Sequence, residues 1–441
     1  MPGGTTAPVT ATHDNAPPAT EWAGVRRLAR SWVPTALGSS MLAWEIPLVA
    51  AITARMADGA TALAALGAGL SVLFVVNSPA LALAPLIVAE LAEQGSRRLL
   101  RWALGTGLAG CAALLVPAAL PGVATGFPGL LGLPANLHDA FRLCLLSFAT
   151  APLAVALRRY LHGRLIAADT TRPIAVATGI RIAATTLIAL AAWQADLPAA
   201  ATGGIALSAG AWAETAYLSV AARALPPAPA GAGRRLAGQH ARITSTVLLN
   251  MSPSLITTVV LTRSASAEDS LTVWPVLYGL VSLGMVPLSD LDTVGAAFLR
   301  RSGRPRVLLR FTALLTATLL ALSALVALTP VARWYVVDFS NVPDGPADLG
   351  LRWIAVLALV PALWAVRGRL RALVIAGADT RTLPRAAVLH LAGLIGCGLL
   401  LTLTPLPGVA CASLSLTGAL LLEIAALTRR RSPEDATPPV P

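Results

Sequence analysis

Apolar residues run along this chain in stretches of about 20, separated by short polar connections in which arginine recurs. A stretch of that length crosses the hydrocarbon core of a bilayer as a helix. Twelve such spans are predicted, over residues 31–56, 60–93, 99–120, 138–166, 173–194, 199–223, 242–264, 270–299, 307–329, 348–374, 385–403 and 406–428. The pattern predicts an all-α polytopic membrane protein. Composition agrees: 56% of residues are hydrophobic and only 12% charged, against about 25% charged in soluble domains.

The net charge of +12 changes the picture only in how it is distributed. All 33 basic residues are arginine, and they cluster at alternate connections, including Arg26/Arg27/Arg30, Arg97/Arg98/Arg101, Arg158/Arg159/Arg164, Arg300/Arg301/Arg304 and Arg367/Arg369/Arg371. The opposite connections carry scattered Arg55, Arg263, Arg333 and Arg352, offset by acids. This is the positive-inside pattern of membrane loops, not a nucleic-acid face, and it puts both termini in the cytoplasm. Avoidance of lysine in a chain rich in Ala, Arg and Gly points to a bacterial plasma-membrane protein. Cys111, Cys144, Cys397 and Cys411 have no metal-ligand spacing. No cofactor and no metal are expected, and the chain is expected to act as a monomer in the bilayer.

The proline- and arginine-containing linker at 225–241 divides the spans six and six. The expected organisation is a disordered tail (1–30), an N-lobe (31–224), the linker, a C-lobe (242–428) and a second tail (429–441). The halves are related. Arg55, Leu63, Pro79 and Leu83 match Arg263, Leu271, Pro287 and Leu291 at a shift of 208. Arg159, Asp169 and Thr170 match Arg369, Asp379 and Thr380 at 210, and Glu214 matches Glu423 at 209. Each half starts on the same side, so the repeats are parallel, with a central cavity between two lobes suited to alternating access.

Several segments bear a family likeness. "WEIPLVAAITARMADGATALAALG" from Trp44, "DSLTVWPVLYGL" from Asp269, "RRYLHGRLIAADTTRPIAVATGIR" from Arg158 and "GAWAE" from Gly210 resemble bacterial relatives of the progressive ankylosis protein. These belong with the multidrug and toxic compound extrusion (MATE) proteins in the lipid/oligosaccharide flippase superfamily. The resemblance covers nearly the whole chain and implies a two-lobed transporter of twelve helices. It departs at "SDLD", residues 289–292, where Asp292 stands at the expected carboxylate position.

A carboxylate at mid-membrane costs about 2.5–3.5 kcal/mol, so it needs a partner, a proton or a watery cavity. Glu45 is such a residue, ten positions from Arg55 and about 15 Å along a helix, too far to pair. Arg55 suits snorkelling to the outer interface. Pro47 frees a carbonyl near Ala43 and bends the helix beside the acid. Glu45 is therefore an ion-coupling candidate, and the resemblance implies Asp292 as a second; buried structural roles are their bland alternatives. Arg181 and Glu214 fall at similar depth on neighbouring spans and are expected to pair; His390 and Glu423 are their counterpart. The substrate-cavity candidates are Asn77, Arg181, Glu214, Asn250, Trp274 and Asp290. Trp32, Trp102, Trp193, Trp334 and Trp353 read as interfacial anchors.

No nucleotide-binding loop or zinc-protease motif is present, and the chain reads as a non-enzyme. The leading function is a proton- or sodium-coupled exporter of an organic small molecule. Flipping of a lipid-linked precursor is the alternative, followed by a polyprenyl transferase using "SDLD". A major-facilitator fold is the structural runner-up.

Overall fold

The computed structural model describes residues 18–170, 172–226, 236–377 and 382–429. The expected tails before residue 18 and after 429, most of the linker, and Asp379, Thr380 and Arg381 lie outside the described residues. The first repeat contains α1 (Pro18–Ala43), α2 (Glu45–Ala54), α3 (Gly59–Val76), α4 (Ser78–Leu81), α5 (Leu83–Gln94), α6 (Ser96–Ala119), α7 (Pro121–Leu130), α8 (His138–Ser147), α9 (Ala151–Ala167), α10 (Arg172–Gln194) and α11 (Ala199–Ala221). The second contains α12 (Leu236–Thr262), α13 (Ala267–Met285), α14 (Leu291–Ser302), α15 (Pro305–Leu328), α16 (Val331–Arg333) with a π-turn over Trp334–Phe339, α17 (Asp344–Leu351), α18 (Ile354–Ala358), α19 (Val360–Ala376), α20 (Thr382–Leu401) and α21 (Gly408–Arg429).

Among the described residues, ten helices or continuous helix pairs are long and apolar enough to cross a membrane, and eleven with the span formed by Asp344–Leu351 and Ile354–Ala376, which bends by 57°. The twelfth expected span corresponds to α11, which is 23 residues long but rich in Gly, Ala, Ser and Thr and carries Glu214. One expectation needs correction. The chain is helical from Pro18, not only from residue 31, because Glu21, Val25, Leu28 and Trp32 recur at helical spacing and are buried on one face.

The duplication is written into the breaks as well as the helices. The turn before α3 uses Asp58 at φ 57° and the turn before α13 uses Ser266 at φ 50°, 208 positions later. Gly95 (φ 73°) and Gly303 (φ 61°) close the second spans at the same shift, in left-handed backbone that glycine adopts without strain. The second spans also break at matching points, after Val76 and after Met285. Pro152 and Pro361, 209 apart, each occupy the first turn of α9 and α19, where a missing N–H leaves no bond unmade.

The repeats meet at the end that carries Arg55. Its guanidinium donates to Asp338 O at 2.9 Å, Phe339 O at 2.8 Å and Ala51 O at 2.6 Å. Arg55 is thus not only an anchor in the interface: it clasps the carbonyl end of the π-turn in the other repeat, where the helix dipole favours a cation. Asn341 Nδ2 donates to Ala54 O (3.0 Å), Thr262 Oγ1 to Leu131 O (2.7 Å) and Asn136 Nδ2 to Glu268 Oε1 (2.8 Å). Deeper in, α3 lies against α13 so closely that a Cβ on Gly67 would stand 2.4 Å from Pro275 Cγ. Small residues set that approach, as in other membrane helix pairs.

At the opposite end the first helix of each repeat leans on the other repeat. Trp32 packs edge-on against Phe311 at 5.6 Å, and Glu21 pairs with Arg310. Reciprocally, Trp102 Nε1 donates to His240 Nδ1 at 3.0 Å while His240 Nε2 lies 2.8 Å from Pro79 O. That pair of contacts requires the neutral Nε2–H tautomer. Trp32 and Trp102 therefore join repeats; they are not free interfacial anchors. Removing the clasp at the other end should be measurable. Arg55→Ala is expected to loosen that end by about 1 kcal/mol, because these exposed charge-assisted bonds are screened. Spin-label distances between positions 58 and 344 should broaden toward longer values.

Candidate functional site

Two buried ionic clusters occupy matching positions in the two repeats. In the first, the carboxylate of Glu45 on α2 is 3% exposed. Arg181 on α10 holds it with both arms of its fork, Nε to Oε1 at 2.8 Å and Nη2 to Oε2 at 2.6 Å, and Thr185 Oγ1 donates to Oε1 at 2.8 Å. Thr185 follows Arg181 by one turn, so both reach the acid from one helix face. Glu214 on α11 is the second hub. It accepts from Arg158 Nη1 on α9 at 2.8 Å, and it lies 3.3 Å from His162 Nε2 and 3.5 Å from Arg181 Nη1. Arg181 therefore stands between two carboxylates and favours Glu45.

The local sequence explains how the acid gets there. Pro47 has no N–H for Ala43 O, and the helix is interrupted at Trp44 between α1 and α2. Glu45 is the first residue after the break, and Pro47 approaches Gly279 of the second repeat. The carboxylate is thus held by α10 while its own helix touches the other repeat.

In the second repeat Glu423 on α21 is the hub. It accepts from Arg367 Nε on α19 at 2.7 Å and Arg371 Nη1 at 3.3 Å, and it lies 3.2 Å from His390 Nδ1 on α20. Arg367 also lies 4.3 Å from the Trp364 ring centroid. Arg371 reaches on to Asp292 on α14, Nε to Oδ2 at 3.2 Å.

A shift of 209 superposes the two constructions. Arg158 becomes Arg367 and Glu214 becomes Glu423, with the same separation of 56 residues in each pair. His162 becomes Arg371 and Arg181 becomes His390, so arginine and histidine have exchanged places around the same hub. Each repeat then adds one acid of its own. Glu45 falls near Pro253 and Asp292 falls on Leu83, so neither acid has an acidic counterpart.

The structure brings together Glu45, Arg181 and Glu214, and separately Asp292 and Glu423. It does not bring the remaining candidates to these clusters. Asn77 is buried where α3 gives way to α4, with its Oδ1 unpaired among the described residues. Asn250 is exposed on α12, Asp290 is exposed ahead of α14, and Trp274 is buried in a stack with Tyr278 at 5.9 Å. Arg158, Arg159, Arg367 and Arg371, expected as loop charges, need correction. They lie on α9 and α19, nine, eight, nine and five residues before those helices end. Nine residues are about 13 Å of helix. Among the described residues no group of three or more His, Cys, Asp or Glu gathers as a metal site.

No family model and no curated protein matches the chain. Solved structures do. A multidrug resistance MATE family transporter of the MOP superfamily, inward-facing, aligns with a TM-score of 0.61 and 13% identity over 90% of this chain and 99% of its own. The MATE multidrug transporter DinF-BH, solved as a complex, aligns at 0.62 with 15% identity, covering 92% and 96%. The lipid II flippase MurJ in an inward closed conformation aligns at 0.68 with 12% identity, covering 89% and 86%. At such identities the likeness is one of fold. The chain is a multi-pass membrane protein with the fold shared by the MATE transporters and the MurJ flippase.

Proposed function

We propose that this chain is a proton-coupled secondary transporter that exports an organic small molecule by alternating access. It would sit in a bacterial plasma membrane, with both termini cytoplasmic and twelve crossings including α11. The N-lobe would be 31–224, extended back to α1, and the C-lobe 242–428. On that orientation the Arg55 end is the outer gate, shut in this conformation. The observation that carries the reading is the Glu45–Arg181 pair: an unduplicated, buried acid just after a helix break, held by a cation that has a second acid within 3.5 Å.

Protonation of Glu45 removes its charge and turns one of its oxygens into a donor, so the two-armed grip of Arg181 is lost. Arg181 then transfers its interaction toward Glu214, and α2 is released from α10 while still touching Gly279. A local proton event is thereby converted into relative motion of the two repeats. A proton is favoured over sodium because the Arg181 guanidinium faces both Glu45 oxygens and would repel a metal ion there. Asp292 remains a secondary candidate for coupling in the C-lobe.

The test is accumulation of a fluorescent organic solute by vesicles of purified protein under an imposed proton gradient, with a sodium gradient as the contrast. Uptake indifferent to both gradients would overturn the coupled-transporter reading. Flipping of a lipid-linked precursor is the second reading, supported by the fit to MurJ. Gradient-driven transfer of a short-chain lipid-linked phosphate analogue between leaflets, without uptake of soluble dyes, would select it.

A further inference from the structure

Buried charge in the cluster around Glu214 is unequal. Three guanidiniums, on Arg158, Arg159 and Arg181, meet two carboxylates, and Arg158 and Arg181 take both. Arg159 forms no hydrogen bond or ion pair with any described residue, and its Nε is buried without an acceptor. The charges that reach it are Arg158 and Arg181, which repel it, and Glu214, which is already engaged by three partners. The side chain is half-buried and lies eight residues before the end of α9, about 12 Å along the helix.

A guanidinium keeps its proton, so it cannot relieve an unbalanced interior by becoming neutral. An uncompensated charge at membrane depth persists where it has a use. At the shift of 209 that superposes the two hubs, Arg159 falls on Gly368, so this cation is no part of the duplicated brace. The correspondence of Arg159 with Arg369 expected from sequence belongs to a register one residue away. Arg159 and Glu45 are thus both private to the first repeat.

We infer that Arg159 anchors an oxyanion (a carboxylate, sulfonate or phosphate) on the molecule this protein handles. Its planar fork suits two oxygens of such a group, and the anion brings the charge of the cluster to balance. Calling that molecule the transported substrate rests on the transporter reading above; the oxyanion site itself does not.

Equilibrium binding to the purified full chain in neutral detergent tests the inference. The probes are two xanthene dyes of similar size, anionic fluorescein and a cationic rhodamine ester, followed by fluorescence polarisation. Fluorescein is expected to bind about tenfold more tightly than the rhodamine. Arg159→Gln should weaken fluorescein by about tenfold and leave the rhodamine unchanged, while Arg159→Lys keeps most of the affinity. The melting temperature of Arg159→Gln should equal or exceed that of the parent, because no internal bond is lost; a purely structural arginine predicts a fall. Displacement of fluorescein by phosphatidylglycerol, but not phosphatidylcholine, assigns the site to a lipid phosphate, and absence of displacement assigns it to a soluble oxyanion. Equal affinity for the two dyes, no fluorescein binding, or fluorescein binding indifferent to Arg159→Gln overturns the inference. No gradient is applied, so a failure of Glu45 coupling would leave this readout intact.

Discussion

Glu214→Ala should be among the most destabilising single substitutions in the molecule. Glu214 is 1% exposed and is the hub on which Arg158, Arg181 and His162 converge. Removing one partner of a buried ion pair costs about 3–5 kcal/mol, mainly because the other charge is left uncompensated. Here one deletion leaves Arg158 without an acid and deepens the positive imbalance already created by Arg159. The converse change is milder. Arg158→Met leaves Glu214 with Arg181 and His162, so its cost should fall well below that of the hub. Glu214→Gln, which keeps an acceptor but not the charge, should fall between. Equilibrium denaturation in mixed micelles reads the order directly: Glu214→Ala, then Glu214→Gln, then Arg158→Met.

The same order should hold in the second repeat for Glu423→Ala against Arg367→Met, since Arg371 and His390 remain on the hub. A result in which the arginine variants are the more damaging would mean that these side chains act through packing of their stems, not through the hub. The exchange of His and Arg between the repeats sharpens the comparison. Glu423 has two arginines at 2.7 and 3.3 Å, with His390 beside them. Its loss should be as severe as that of Glu214 although Glu45 has no counterpart there.

Much of this architecture is legible in the chain because membrane helices announce themselves by length and apolarity, and because the 208–210 shift survives in turns and prolines as well as in side chains. Arg181 near Glu214, and His390 near Glu423, follow from depth counted along neighbouring helices. The arginines of α9 and α19 are harder. The positive-inside rule counts charges near span ends and does not see that α9 continues to Ala167, which carries Arg158 about two and a half turns inside. The signal that reveals them is the 56-residue spacing of Arg158–Glu214 repeated in Arg367–Glu423. Glu45 with Arg181 has no such signal: the two are 136 residues apart, and the pair has no copy in the second repeat. Trp102 with His240 is equally silent, since a contact between repeats at 138 residues leaves no periodic trace.

Glu45→Gln should abolish concentrative transport while leaving downhill equilibration of the same solute. Glutamine keeps the shape of the side chain but has one acceptor oxygen and no charge, so it accepts from Thr185 or Arg181 where the carboxylate accepted three bonds, the two from Arg181 worth about 1.5–3 kcal/mol each. The lost difference is what protonation removes reversibly in the parent, so the variant is fixed near the protonated arrangement, with Arg181 free to favour Glu214. Three readings separate the coupling role from a structural one. Accumulation against a gradient should fall at least about tenfold; the pH dependence of exchange should flatten; and thermal stability should change far less than in Glu214→Ala, because Glu214 still neutralises Arg181. Glu45→Asp, one methylene shorter, keeps a titratable group but not the two-armed geometry, and should retain pH-dependent transport at reduced rate. Asp292→Asn is the internal control, since Arg371 keeps Glu423 when Asp292 is neutral. If Glu45→Gln still concentrates solute with the parental pH profile while Asp292→Asn does not, the coupling proton belongs to the second repeat, and Glu45 braces a helix that moves for another reason.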